Sequence, residues 1–271
     1  MNRLVEIVEQ KRRRVAEDKL AMPRESLERL AYSTRDGKPS HALRQALADP
    51  LRVNIIAEFK RRSPSKGLIR EGADPKTTAQ QYQRGGAAAI SVLTEADYFA
   101  GSLDDLSLVD KTTKLPLLRK DFIFDEYQLY QSAAAGADAL LLIVATLSDS
   151  ELQRLRTVTE EELGMDALIE IHTRDEMQRA IQAGANMIGV NNRNLATFAV
   201  SLESSIELAA SAPAQATMIS ESGIETIDDI KRLRAASYHG FLIGETLMRA
   251  RNPEVLLKEL TRSAEAVPAS E

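Results

Sequence analysis

Gly136-Ala137-Asp138-Ala139-Leu140-Leu141-Leu142-Ile143 is the stretch on which the fold turns. A glycine closes a helical segment, and an apolar run of strand length follows it. The same junction recurs at Gly85-Gly86-Ala87 and at Gly184-Ala185, with 50 residues from Gly86 to Gly136 and 48 from Gly136 to Gly184. Glycine is the expected residue just past a helix end, because it enters the left-handed conformation without a Cβ penalty. Each interval is the length of about two strand–helix units.

Working outward, short β-rich apolar runs lie near 53–59, 88–93, 115–119, 139–144, 166–171, 186–190, 216–220 and 239–243. Between them stand helix-start signals: Asp74-Pro75, Ser102, Asp125-Glu126, Ser148-Asp149, Thr173, Ser201, Glu225-Thr226 and Asn252-Pro253. Eight strand–helix units without a break in composition predict one α/β domain over residues 1–271, a closed (β/α)8 TIM barrel. An open doubly wound sheet lacks its fingerprint, since no G-x-G-x-x-G follows the first strand. Residues 1–48 read as a helical extension, broken at Pro23 and at Asp36-Gly37-Lys38-Pro39.

Composition narrows the function. The chain has 271 residues, 44% hydrophobic and 28% charged, with a formal net charge of -5. That acidic balance disfavours a nucleic-acid binder, as does an aromatic content of 4% with no Trp. The absence of cysteine excludes disulfides, thiol catalysis and Cys-ligated zinc. No P-loop and no H-E-x-x-H occurs, and no two of the three histidines are close in sequence, so neither a nucleotide site nor a zinc site is expected. The charged N-terminus lacks a secretory core, and no apolar run approaches ~20 residues, which predicts a cytoplasmic protein with no membrane span.

In such barrels the chemistry sits at the C-terminal strand ends. Strand 1 ends in Glu58 and Lys60, which share one face with Ile56 because strand side chains alternate. An acid and a base at the end of so apolar a strand either pair structurally or do chemistry. The loop behind them, Ser63-Pro64-Ser65-Lys66-Gly67, is rich in hydroxyl and backbone donors. Later strands end in Thr94-Glu95, Lys120-Asp121, Glu170-Ile171-His172, Asn191-Asn192-Arg193, Glu221-Ser222-Gly223 and Gly244-Glu245. Ser222-Gly223 and Gly244-Glu245 follow strands 7 and 8, where many barrels bind phosphate through backbone N–H groups. There the Glu245 N–H is expected to serve, with its carboxylate turned away; the plainer reading makes the glycines tight turns only. Lys120 and Glu170 are the best acid–base pair, the lysine with a pKa lowered under apolar cover and the glutamate with one raised. The competing reading pairs Lys120 with Asp121 as a surface ion pair. His172, His41 and His239 read as surface or capping residues, and Arg12-Arg13-Arg14 as a solvated helix face or part of a wall of the site.

These strand ends resemble the indole-3-glycerol phosphate synthase family. The motifs are Ile56-Ala57-Glu58-Phe59-Lys60-Arg61-Arg62-Ser63-Pro64-Ser65-Lys66-Gly67, then Ser91-Val92-Leu93-Thr94-Glu95 with Tyr98-Phe99-x-Gly101-Ser102, then Leu118-Arg119-Lys120-Asp121-Phe122-Ile123. Further on come Leu168-Ile169-Glu170, Ile188-Gly189-Val190-Asn191-Asn192-Arg193-Asn194-Leu195, Ile219-Ser220-Glu221-Ser222-Gly223-Ile224, and Phe241-Leu242-Ile243-Gly244-Glu245-x-Leu247-Met248. Tyr98, where many relatives carry Trp, and Glu245, where some carry Ser, are small departures.

The resemblance implies a barrel whose helical extension, residues 1–48, covers the mouth. It implies conversion of 1-(2-carboxyphenylamino)-1-deoxyribulose 5-phosphate to indole-3-glycerol phosphate, with loss of carbon dioxide and water, without cofactor or metal. By similarity Lys120 is the general acid for ring closure, and Glu170 transfers protons in the later dehydration. Lys60, held by Glu58, meets the substrate carboxylate region, with Arg193 near it. Asn191 and Glu221 position substrate hydroxyls and the lysine. Ser63, Gly223, Gly244 and the Glu245 backbone correspond to the phosphate cradle, with Ser222 beside it. Phe122, Leu141 and Ile143 form the slot for the aromatic ring. The expected partner is a phosphorylated small molecule, for a monomer or a chain weakly associated with pathway enzymes and not fused to the isomerase that precedes it in the pathway. The rivals are a sugar-phosphate isomerase, a Lys120 Schiff-base aldolase, and a barrel that only binds its ligand or scaffolds a partner.

Overall fold

The computed structural model describes residues 3–194 and 197–262. Leu195, quoted in the sixth-strand motif, lies outside the described residues, as do both ends of the 1–271 span. Eight parallel strands close into a barrel: β1 (Asn54–Phe59), β2 (Ala89–Leu93), β3 (Leu117–Lys120), β4 (Ala139–Ile143), β5 (Asp166–Ile171), β6 (Met187–Asn191), β7 (Thr217–Glu221) and β8 (Gly240–Ile243). Each pairs with its sequence neighbour, and β8 closes on β1 through Asn54↔Gly240 to Ala57↔Ile243. Outside the barrel, a two-stranded hairpin of Arg62–Ser63 and Gly67–Leu68 follows β1.

The two faces of each strand have different tasks. Outward positions such as Ile55, Ala57, Ile90, Leu140, Leu142, Ile169 and Val190 pack into the large core under the helices. Inward positions, Ile56, Ala89, Leu118, Ala139, Leu141, Leu168, Met187 and Ile219, fill the barrel itself. This strict alternation places Glu58, Lys120, Glu170, Asn191 and Glu221 inside, at the top of five strands.

Local chemistry fixes where the helices begin. Asp74, Ser102, Asp125, Ser148, Thr173 and Thr226 each cap a helix by accepting a backbone N–H. Ser201 is an exception: that helix begins at Glu203 behind Leu202, which has no side-chain cap.

The N-terminal extension runs from one end of the barrel to the other. Its first helix, α1 (Arg3–Ala21), lies at the mouth, where Arg3, Leu4 and Ile7 line the central cavity. The second, α2 (Arg24–Arg35), packs along α6 (Glu126–Ala134), and Arg35 bonds Asp138 and the Ala137 carbonyl at the opposite end. The third, α3 (Ala42–Ala46), sits under the floor, where Leu43 and the following Leu47 plug the inner core. Among the described residues of the extension, those that line the cavity all belong to α1. The other two helices serve the outer wall and the floor.

Candidate active site

A cavity of ≈ 450 Å³ opens at the C-terminal end of the barrel. Glu58, Lys60, Ser63, Lys120, Phe122, Leu141, Ile143, Glu170, Asn191, Arg193, Glu221, Ser222, Gly223, Gly244 and Glu245 all line it, although they span almost two hundred residues of chain. Lys120 stands at its centre. Its ammonium lies 2.7 Å from Glu170 Oε2 and 2.8 Å from Glu221 Oε2. The Lys60 ammonium meets Glu58 Oε1 at 2.5 Å. Asn191 hydrogen-bonds Glu170 and accepts the Arg193 backbone N–H at 3.0 Å.

Two glycines make room for these carboxylates. A Cβ at Gly189 would lie 2.1 Å from Glu221 Oε1, and one at Gly244 would lie 2.2 Å from Glu58 Oε1. Real Cβ contacts do not approach so closely, so only glycine lets each acid occupy its position. Across the cavity, Leu141, Ile143 and Phe122 form an apolar wall, with the Phe99 ring 6.2 Å from that of Phe122. On the remaining side, Ser222 and Gly223 both have positive φ, 68° and 78°, which turns the chain sharply after β7. The Asn192 amide holds that turn by donating to the Ser222 carbonyl at 3.0 Å. The Glu245 carboxylate is engaged by Arg249 at 2.9 Å and lies 3.8 Å from Lys66.

A family model described as indole-3-glycerol phosphate synthase matches residues 4–260. The chain belongs to the indole-3-glycerol phosphate synthase family. The protein of that name from Carboxydothermus hydrogenoformans is 46% identical over 261 residues, covering 95% of this chain and 98% of the relative. That from Koribacter versatilis is 50% identical over 208 residues, covering 77% and 80%. A solved thiamine phosphate pyrophosphorylase from Pyrococcus furiosus superposes with TM-score 0.60 at 15% identity, over 79% of this chain and 95% of its own; that likeness concerns the fold alone. The family is one of carboxy-lyases acting in tryptophan biosynthesis, and the chain is accordingly an enzyme of that class.

The electrostatics of this synthase-family site reverse one expectation. Burial alone pulls the Lys120 ammonium towards neutrality, but the charges of Glu170, Glu221 and Glu58 outweigh it and raise the pKa. Glu170 is likewise pushed up by burial, yet Lys120, His172 and the Asn191 hydrogen bond bring it below the ordinary carboxylate range. The raised carboxyl is Glu221, lifted to about 7 by burial and by its neighbour Glu170, with Lys120 only partly offsetting them. One ammonium thus serves two acids, and the two carboxyls titrate as a coupled pair.

Several polar strand ends serve the framework instead. Asp121 does not pair with Lys120. It takes the Lys11 ammonium of α1 at 2.7 Å, the Arg119 guanidinium at 2.9 Å and the Thr94 hydroxyl at 2.6 Å, all buried. Glu95 accepts backbone N–H groups from Asp97, Tyr98 and Phe99, fixing the loop after β2. In the Arg12–Arg14 run, Arg14 pairs with Asp97, and Arg12 lies 4.4 Å above the Phe124 ring. His172 is not a surface residue: its side chain is 11% exposed, with Nε2 3.6 Å from Glu170 Oε1. The alternation that brings Glu170 inward also points to His172, two residues on.

Proposed function

We propose that this cavity converts 1-(2-carboxyphenylamino)-1-deoxyribulose 5-phosphate to indole-3-glycerol phosphate, releasing carbon dioxide and water. The observation that carries the reading is the Lys120 ammonium, held between two buried carboxylates in a chamber with an apolar wall opposite glycine-rich turns. Lys120 donates its proton to the substrate carbonyl as the ring carbon attacks, and its raised pKa keeps it charged for that task. Lys60, paired to Glu58, and Arg193 receive the substrate carboxylate until it leaves as carbon dioxide. Glu170, ionised beside Lys120, accepts the proton lost when water is eliminated. Asn191 and Glu221 hold Lys120 and Glu170 in register. Phe122, Leu141 and Ile143 take the aromatic ring, while Ser63, Ser222, Gly223, Gly244 and the Glu245 N–H receive the phosphate.

A lysine so firmly protonated is a poor amine nucleophile, which counts against the Schiff-base aldolase. The acids and bases gathered at one point count against a barrel that only binds. The reading extends to a cytoplasmic enzyme whose one required partner is its phosphorylated substrate. Purified protein given that substrate will develop indole fluorescence, and borohydride with a keto-phosphate will trap no lysine adduct. An absence of fluorescence together with a trapped adduct at Lys120 overturns the assignment.

A further inference from the structure

The reaction proposed above has a proton balance that the central cluster does not close on its own. The substrate carboxylate leaves as carbon dioxide, and the carbonyl oxygen leaves as water. Protonation of the carbonyl consumes one proton, departure of the hydroxyl as water consumes a second, and loss of hydrogen from the sugar-derived carbon returns one. Each turnover therefore takes up one proton net, which must reach a chamber whose mouth is occupied by substrate and flanked by Arg3, Leu4 and Ile7 of α1.

We propose that His172 is the relay that brings this proton from solvent to Glu170 through a second cavity. The two oxygens of Glu170 face different groups. Oε2 meets Lys120 at 2.7 Å, and Oε1 faces His172 Nε2 at 3.6 Å. Nδ1 of the same ring lies 3.4 Å from Glu176 Oε2, on α8 (Arg174–Gln182). Both ring nitrogens are buried, and these two carboxylates are the groups they face. Catalytic hydrogen bonds are often long before substrate binds and tighten in the complex.

His172 also lines a second cavity of ≈ 460 Å³, shared with Thr173, Glu176, Asn191, Arg193 and Asn194. Thr173 and Asn194 are exposed, so this cavity meets solvent, and it adjoins the central cavity through Asn191 and Arg193, which line both. The imidazole thus faces an acid of the reaction chamber at Nε2 and, at Nδ1, Glu176, which lines the second cavity. Imidazole fits such a transfer because its two nitrogens donate and accept in the same protonation cycle. The carboxylates facing it come from three elements, Glu170 on β5, Glu176 on α8 and Glu221 on β7, and each favours its charged form. In the step itself, a solvent proton taken up by Glu176 passes to His172 Nδ1 as the Nε2 proton passes to Glu170; Glu170 hands its proton to the departing hydroxyl, which leaves as water, and tautomer exchange resets the ring, so one proton crosses per turnover.

The inference rests on the proposed reaction, and wild-type turnover of the carboxyphenylamino substrate tests that reaction separately. His172→Ala and His172→Gln are expected to lower kcat by roughly 10-fold or more with KM unchanged. Added imidazole is expected to restore the His172→Ala rate in proportion to its concentration, without affecting wild type. A folding role would lower the melting temperature and give no rescue. If either variant keeps the wild-type kcat, or if the lost rate does not return with imidazole in a His172→Ala protein of native circular dichroism, the relay is refuted. Should His172→Ala fail to fold, His172→Gln decides: a lowered kcat with native KM and melting temperature supports the relay, and a wild-type kcat refutes it.

Discussion

Replacing Gly189 by alanine tests how tightly the site is built, because the residue carries no chemistry of its own. The new methyl carbon would start 2.1 Å from Glu221 Oε1, with ordinary contact beginning near 3.4 Å, and Leu168 Cδ1 at 3.2 Å restricts escape on the other side. The carboxylate must therefore retreat by about 1.3 Å, the difference between those two distances. That is enough to break its 2.8 Å contact with Lys120 and leave the ammonium held by Glu170 alone. A displacement of ~1 Å in a catalytic constellation costs about 10²-fold in rate. Overpacking a dense interior adds a stability cost of roughly 1–3 kcal/mol, or ~2–4 °C in Tm per kcal/mol for a chain of this size. The assay is indole fluorescence over a substrate series, with thermal unfolding of the same preparation. Gly189→Ala with native kcat/KM would show that Glu221 does not position Lys120, and the reasoning about the cluster would fail.

Lys120→Met is expected to lower turnover by about 10²–10⁴-fold while leaving the circular dichroism unchanged. Lys11→Met removes one partner of a buried pair; Asp121 keeps Arg119 and Thr94, so the loss falls near the lower end of the usual range, about 3 kcal/mol by urea titration, with a raised KM as α1 loosens. The Asp121 carboxyl, pushed up by burial but brought down to about 2 by Lys11 and Arg119, contributes stability that is complete above its unfolded value of 3.8 and is lost as pH falls towards 2. Glu221 has the opposite sign: raised from 4.5 to about 7, it contributes stability below 4.5 that is lost as pH rises through 7. The urea midpoint is therefore expected to decline between pH 5 and 8, and Glu221→Gln to flatten that decline.

The barrel was legible because its signals are local. Gly86, Gly136 and Gly184, with the caps at Asp74, Ser102, Asp125, Ser148, Thr173 and Thr226, punctuate the chain within a residue or two of each helix end. The cavity residues were legible because strand alternation assigns Glu58, Lys120, Glu170, Asn191 and Glu221 to one face. What escaped was set by partners distant in sequence. Leu43 and Leu47 have the spacing of any amphipathic helix, and nothing beside them says that they seal a floor. Lys11 reads as one charge in a basic run until Asp121 arrives from 110 residues away. The direction of the Lys120 pKa depends on three carboxylates from three strands, a sum that no local window contains.

The path of the N-terminal extension has a mechanical consequence. With α2 bound along α6 and α3 wedged beneath the strands, α1 is joined to the rest of the extension at Met22-Pro23, where the Tyr127 hydroxyl donates to the Met22 carbonyl at 3.0 Å. The docking of α1 on the barrel, through Lys11–Asp121, Arg14–Asp97 and Lys19–Asp125, is therefore intramolecular, and the tether raises its effective concentration to the millimolar range. Shortening the chain past that joint would unroof the chamber, whereas cutting it beyond Leu47 would also pull the stopper from the hydrophobic interior.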